Sequence, residues 1–400
     1  MVAPLAGRCE AAPHYLSVRW WLLRLGLHEL TRAKEQAEDW IWIIDHTMQL
    51  GEVKCLIVLG VRQSAWAAAE DRRLAHEDVE LIALQPVRTS TGEVVCQQLN
   101  EAAKTTGVPR AIVSDDGRDL HLGLKLFRQE HSQAAWIYDI KHKTASLLKH
   151  RLEKDEEWKS FVSQVNLSKQ KVCMTPLAFL APPQQRGKAR YMNVDSLVAW
   201  GKKAIGVLDQ PPAADHEEVD AAMVEEKFGW LREYRQPLER WNRLMSVIET
   251  AEHHIRREGI QCGTAGELKL RLDAVASDES SRDLRDDLLA FLREQSRQVR
   301  PGERLLGSSE IVESVIGKYK RLQGERGHHG LTPMILSIGS IVGRKTVSAL
   351  KTALEKLAIH DVLAWCGKHI GATVQSLRKK YLPNRASEQK RQPNPSPNTS

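Results

Sequence analysis

This 400-residue chain has no CxxC pair and no histidines at zinc-finger spacing; its six cysteines, at 9, 55, 96, 173, 262 and 366, are scattered. That excludes a zinc ribbon or a disulfide framework as the organising device. Cys55 and Cys96 fall in apolar or helical patterns, which points to buried free thiols in a reducing cytoplasm. A signal-peptide layout is also missing, because Arg8 is followed by Cys9-Glu10 and not by an apolar run. The longest apolar stretch, about Leu331 to Gly343, is too short to span a bilayer, so no membrane partner is expected. Internal repeats are absent. Charge of one sign is nearly balanced by the other: 58 Lys+Arg against 51 Asp+Glu gives +7, which permits a polyanion partner without requiring one. What is present is 42% apolar content, enough at this length for the cores of two or three domains.

Residues 1–39 read as helical, with Trp20-Trp21-Leu22-Leu23, Leu25, Leu27 and Leu30 as an apolar stripe among arginines. At Trp40 the pattern changes to β-branched and aromatic residues, and Trp40-Ile41-Trp42-Ile43-Ile44 reads as a strand buried on both faces and ending at Asp45. Val53–Val61 predicts a second strand, antiparallel to the first, and Val79–Leu84 a third, stopped by Pro86. A helix over Thr89–Thr106 then precedes a short buried strand ending at Asp115. Asp116-Gly117 turns the chain into a helix through Leu120, Leu124 and Phe127, followed by a fifth strand, Ala135–Asp139. Three meandering strands and then two alternating with helices is the order of an RNase H-like α/β fold, a mixed five-stranded sheet with helices.

Beyond it lies a charged, helical stretch studded with Trp158, Trp200, Trp230 and Trp241. The expected organisation is a helical segment over 1–39, the first part of the core over 40–149 and an all-helical insertion over 150–305. Closing core helices over 306–381 and a disordered tail over 382–400, rich in Pro, Asn and Ser, complete it.

The chemistry rests on carboxylates. Divalent ions that serve phosphodiester cleavage and joining take hard oxygen ligands, and an Asp at a strand end is rigidly placed. In an RNase H-like sheet the first and fourth strands are neighbours, so Asp45 and Asp115 would meet although they lie 70 positions apart. For a third ligand, Glu310 and Glu313 compete. The apolar stripe of that helix runs through Val312, Val315, Ile316, Tyr319 and Leu322; Glu313 flanks it, whereas Glu310 points away. Lys320, seven residues after Glu313, shares its face and could grip a phosphate.

The elements Trp42-Ile43-Ile44-Asp45-His46-Thr47, Ser114-Asp115-Asp116-Gly117, and Glu313 with Gly317 and Lys320 resemble those of bacterial insertion-sequence transposases of the DDE superfamily. That family shares the RNase H-like fold with retroviral integrases. The 198-residue gap between Asp115 and Glu313 is similar to the subgroup with a helical insertion before the last Glu. The resemblance implies that Asp45, Asp115 and Glu313 are catalytic and bind two Mg²⁺ ions, with Mn²⁺ as a substitute. The enzyme would free a 3′-hydroxyl at a transposon end and join it to target DNA. It would act as a homo-oligomer on DNA in a bacterial cytoplasm, at the nucleoid.

Lys320 would contact a phosphate, and His142 and Lys143, after the fifth strand, are the next choice for a DNA-facing rim. Asp139 is the substitute for Asp115 if the strand register differs, while Asp116 and Asp119 read as turn and helix-start residues. Trp230 and Trp241 read as core residues before base-stacking ones. Arg378-Lys379-Lys380 reads as a solvated helix end or a modest nucleic-acid contact. His253-His254 and His328-His329 are poor ligand pairs, since adjacent helical residues point about 100° apart. Only 44 residues precede Asp45, short for a separate helix-turn-helix reader. This leaves open a truncated copy, recognition by other helices, or a second polypeptide. Two alternatives stand beside the transposase: an RNase H-like nuclease without joining, and an inactive transposase-derived DNA-binding protein.

Overall fold

The computed structural model describes residues 12–184, 190–210, 221–324 and 330–382. The expectations for residues 1–11, for His328-His329 and for the tail from 383 onward lie outside them. Two units divide the chain, Met1–Ile137 with Ser309–Ser400, and Tyr138–Ser308.

The first unit opens with α1 (Tyr15–Thr31), β1 (Trp40–Met48), β2 (Lys54–Arg62), the short α2 (Gln63–Ala68) and β3 (Glu80–Val87). It continues through α3 (Gly92–Thr106), β4 (Ala111–Ser114), α4 (Arg118–Glu130) and β5 (Ala135–Tyr138), whose last residue begins the second unit. The second unit is helical: α5 (Ile140–Leu152), α6 (Glu156–Val172), α7 (Val194–Asp209), α8 (Ala221–Phe228), α9 (Arg235–Glu258), α10 (Thr264–Val275) and α11 (Glu279–Ser296). The chain then returns to the first unit with α12 (Glu310–Gln323), α13 (Ser337–Ile341), α14 (Val347–Lys356), α15 (Ile359–His369) and α16 (Val374–Tyr381).

The sheet is mixed, in the order β3-β2-β1-β4-β5. β1 pairs antiparallel with β2 and parallel with β4, and β2 pairs antiparallel with β3. This is the RNase H-like arrangement expected from the strand order. Successive strand residues face opposite ways, so Trp40, Trp42 and Ile44 share one face. There they pack with Val95 and Leu99 of α3 and with Leu120, Leu124 and Phe127 of α4. Ile41 and Ile43 look the other way and are fully buried as well. On that side α12 packs against β1, and Tyr319 comes beside Cys55. Burial pushes the Cys55 thiol up to about 12, so it stays protonated and inert.

Some elements depart from the sequence expectation. β1 runs on past Asp45 to Met48, because His46, Thr47 and Met48 still pair with Leu56, Cys55 and Lys54. Pro86 does not stop β3 but lies within it, opposite Cys55. β3 is an edge strand with one neighbour, and an edge tolerates a residue without an N–H. Residues 32–39 are not helical; they carry no large apolar residue to continue the α1 stripe. This segment is pinned instead by Lys34, whose ammonium donates to the Glu29 carboxylate and carbonyl at 2.8 Å, and by Ala37 N–H to Thr106 O.

The apolar stretch from Leu331 lies folded inside the first unit as a 3-10 turn and α13, with Leu336 and Ile338 fully buried. Among the described residues no helix is long and apolar enough to cross a membrane. α13 meets α1 backbone to backbone. A Cβ on Gly26 would lie 1.7 Å from Leu336 O, and one on Gly339 would lie 2.5 Å from Gly26 O. Only glycine allows that crossing.

In the second unit the tryptophans build a core. Trp241 is fully buried, edge-on to Trp158 at 4.8 Å and beside Phe161 at 5.2 Å, while Trp230 packs on Phe161 and Tyr234.

Candidate active site at the end of the first strand

The β1–β4 ladder pairs Ile41 with Ala111, Trp42 with Ile112 and Ile43 with Val113. Each pair is 70 positions apart, the separation of Asp45 and Asp115. Asp45 and Asp115 each follow the last pair by two residues; Asp45 lies within β1, whereas β4 ends at Ser114, one residue before the expected Asp115. By alternation Asp45 shares the face of Ile43, the side on which α12 packs against β1. Both aspartates are half-buried. Asp45 Oδ1 accepts from the His46 N–H at 2.6 Å, and Asp115 Oδ1 accepts from the Gly117 N–H at 3.2 Å. A Cβ on Gly117 would stand 3.3 Å from Asp115 Oδ1, a tight approach to that carboxylate.

α12 begins at Glu310 and buries Ile311, Val312, Val315, Ile316 and Tyr319. Leu322, expected in that stripe, is half-exposed, and Ile311 takes its place inside. Glu310 is exposed and Glu313 half-buried, in keeping with their helical phase. The helix is tied to the end of β1 by Gln49, whose amide donates to the Tyr319 hydroxyl and to Gln323 Oε1. On its other flank, His76 sits 3.1 Å from Ser314 Oγ and 2.9 Å from Lys318 Nζ. Lys320 is exposed on α12.

Hard oxygen donors on neighbouring strands suit a divalent cation, and Thr47 Oγ1, on the same face as Asp45, is buried without a partner. Among the described residues, however, no three His, Cys, Asp or Glu side chains are gathered as a ready metal cage. The aspartate pair therefore fits the chemistry, and Glu313 does not complete a three-carboxylate group with it.

The opposite face of the same strand end carries a network with no signature in the sequence. Asp119, in the first turn of α4, accepts from Lys54 Nζ and from Ser90 Oγ, and lies 3.8 Å from His46 Nδ1. Burial pushes the Asp119 carboxyl up, but the bonds from Lys54 and Ser90 outweigh it and hold it down at about 2. Burial, with Lys54 nearby, pushes His46 down to about 4, so its ring is neutral at pH 7. Ser114, fully buried, accepts from Trp136 Nε1 at 2.9 Å and donates to Asp115 O at 2.8 Å. Asp116 holds His121 at 2.5 Å.

The remaining sequence candidates lie elsewhere. His142 and Lys143 stand in α5 of the second unit, where Asp139 is the buried N-cap. Asp139 Oδ1 accepts from the His142 N–H at 2.9 Å and lies 3.3 Å from its ring nitrogen. The Lys143 ammonium covers the Phe291 ring at 5.2 Å. Arg378, Lys379 and Lys380 are exposed on α16, which buries no residue. His253 is exposed and His254 buried, as their angular separation requires.

No family model matches the chain, and no curated protein matches it. Among solved structures it is similar to the Drosophila P element transposase in a strand transfer complex, at 10% identity and a TM-score of 0.41, over 87% of this chain and 89% of that one.

Proposed function

We propose that this chain is a DNA transposase that cuts transposon ends and joins the freed 3′-hydroxyl to target DNA. The reading is supported by the β1–β4 register, whose last pair, Ile43 with Val113, precedes Asp45 and Asp115 by two residues each at the same end of the sheet. Asp45 and Asp115 would hold divalent metal, Mg²⁺ or Mn²⁺, and Glu313 would join them from α12. Bound metal supplies an activated water or 3′-hydroxyl and stabilises the leaving oxygen.

The chain's own residues do the rest. Asp45 sits within a buried strand and would present its oxygens from a fixed backbone, and Asp115 stands at the turn that follows β4, where the Gly117 N–H holds its carboxylate. Lys320, exposed on the same helix as Glu313, offers an ammonium to a phosphate near the cut. Carboxylates without a cation between them repel, and a bound cation would offset that repulsion and favour Glu313 as the third ligand.

The test uses duplexes made from the DNA flanking the gene, one intact and one pre-cut to expose a 3′-hydroxyl. Joining of the pre-cut end to a plasmid in Mg²⁺, lost in Asp45→Asn, supports transposition. Cleavage without joining assigns a nuclease. Neither activity, with DNA binding retained, assigns a binding protein that has lost its chemistry.

A further inference from the structure

The recorded β1–β4 ladder ends at Ile43 and Val113, short of the two aspartates. Beyond that point β1 stays paired with β2 as far as Met48 and Lys54, and on the far face Lys54 donates to Asp119 at the start of α4. We propose that Asp119 and Lys54 are positioning residues that set the spacing of the Asp45 and Asp115 carboxylates, an inference that rests on the metal-binding role given to that pair.

One carboxylate joins three segments here: Lys54 at the start of β2, Ser90 in the loop before α3, and the first turn of α4 through Asp119 itself, with His46 of β1 3.8 Å away. His46 directly follows Asp45, and Asp119 stands four residues after Asp115 across the Asp-Gly turn. A shift of α4 would therefore carry the Asp115 turn with it. A shift of β2 would act on β1 through the Met48–Lys54 pair. The Lys54 and Asp119 side chains are each only 19% exposed, so the bond is not a surface pair open to exchange with water. Outer-shell partners of this type orient metal-binding groups without touching the metal.

The experiment measures Mn²⁺ binding to the full chain, free of DNA, from the electron paramagnetic resonance signal of unbound Mn²⁺, alongside thermal unfolding. The unmodified chain binds Mn²⁺ at a site lost in Asp45→Asn. Asp119→Asn and Lys54→Met each weaken that site about tenfold while still melting cooperatively. Their double variant is no weaker than either single one, because both remove the same bond. Ser90→Ala leaves the ion pair intact and weakens binding roughly threefold, which keeps the test alive if the charge variants do not fold. Binding by folded Asp119→Asn and by Ser90→Ala that equals the unmodified chain overturns the positioning role. Absence of any Asp45-dependent Mn²⁺ binding in the unmodified chain overturns the metal-site reading instead.

Discussion

Asp45 and Asp115 stand two residues beyond Ile43 and Val113, the last pair of the parallel β1–β4 ladder. A separation of 70 positions in the chain is thereby reduced to the ends of neighbouring strands of one sheet.

The sheet that places them depends on the packing of Trp42. It is fully buried against α3 and α4, with the Phe127 ring 6.1 Å away, yet its Nε1 has no hydrogen-bond partner. Trp42→Ala is expected to cost about 3–5 kcal/mol. Trp42→Phe should cost much less, since it also removes the unsatisfied donor. Urea unfolding of the two variants measures the difference.

The aspartate strands were legible because a continuous run such as Trp40–Ile44 has few alternatives to a buried strand. The helical phase of α12 was legible in its burial, Glu310 exposed and Glu313 half-buried, except at Leu322 near its end. The strand order was legible too, but side-chain pairing between distant segments was not. Nothing local to Lys54 announces Asp119, and Pro86 reads as a strand breaker until β3 is seen to be an edge. The end of α1 was overrun because residues 32–39 contain good helix formers, while the apolar stripe that stabilises a helix by packing stops at Leu30.

Glu29 centres a buried ionic cluster in the first unit. It accepts from Arg32 at 2.8 and 2.9 Å and from Lys34 at 2.8 Å, and Lys345 lies 3.9 Å away. Burial pushes its carboxyl up, but the bonds from Arg32 and Lys34 outweigh that and hold it below the usual range. Glu29→Gln leaves the fully buried Lys34 ammonium with only part of its counter-charge, and should cost about 3–5 kcal/mol in chemical denaturation.

His254 in the second unit makes stability pH-dependent. Both ring nitrogens are buried without hydrogen-bond partners, and burial, then Arg271, lowers its pKa below 6.5 despite Glu267 3.9 Å from Nε2. The unfolded chain thus binds the proton more readily than the folded one. The stabilising effect of the neutral ring is full above pH 6.5 and is lost as pH falls below it through the folded value. Urea midpoints at pH 7.5 and 5.5 should differ less in His254→Leu than in the unmodified chain.

At the crossing of α1 and α13, Gly26→Ala places a methyl group on Leu336 O. The helices must separate, at about 1–3 kcal/mol or more. A lowered melting temperature with an unchanged far-ultraviolet spectrum checks it.

The central claim is that Asp45 and Asp115 together carry metal-dependent strand joining. The most direct measurement is transfer of a pre-cut 3′-hydroxyl end into plasmid DNA in Mg²⁺ by the unmodified chain and by Asp45→Asn and Asp115→Asn, each shown to be folded by its melting curve. The account predicts joining by the unmodified chain and a loss of at least about a hundredfold in each variant. Joining that survives in either folded variant would contradict it.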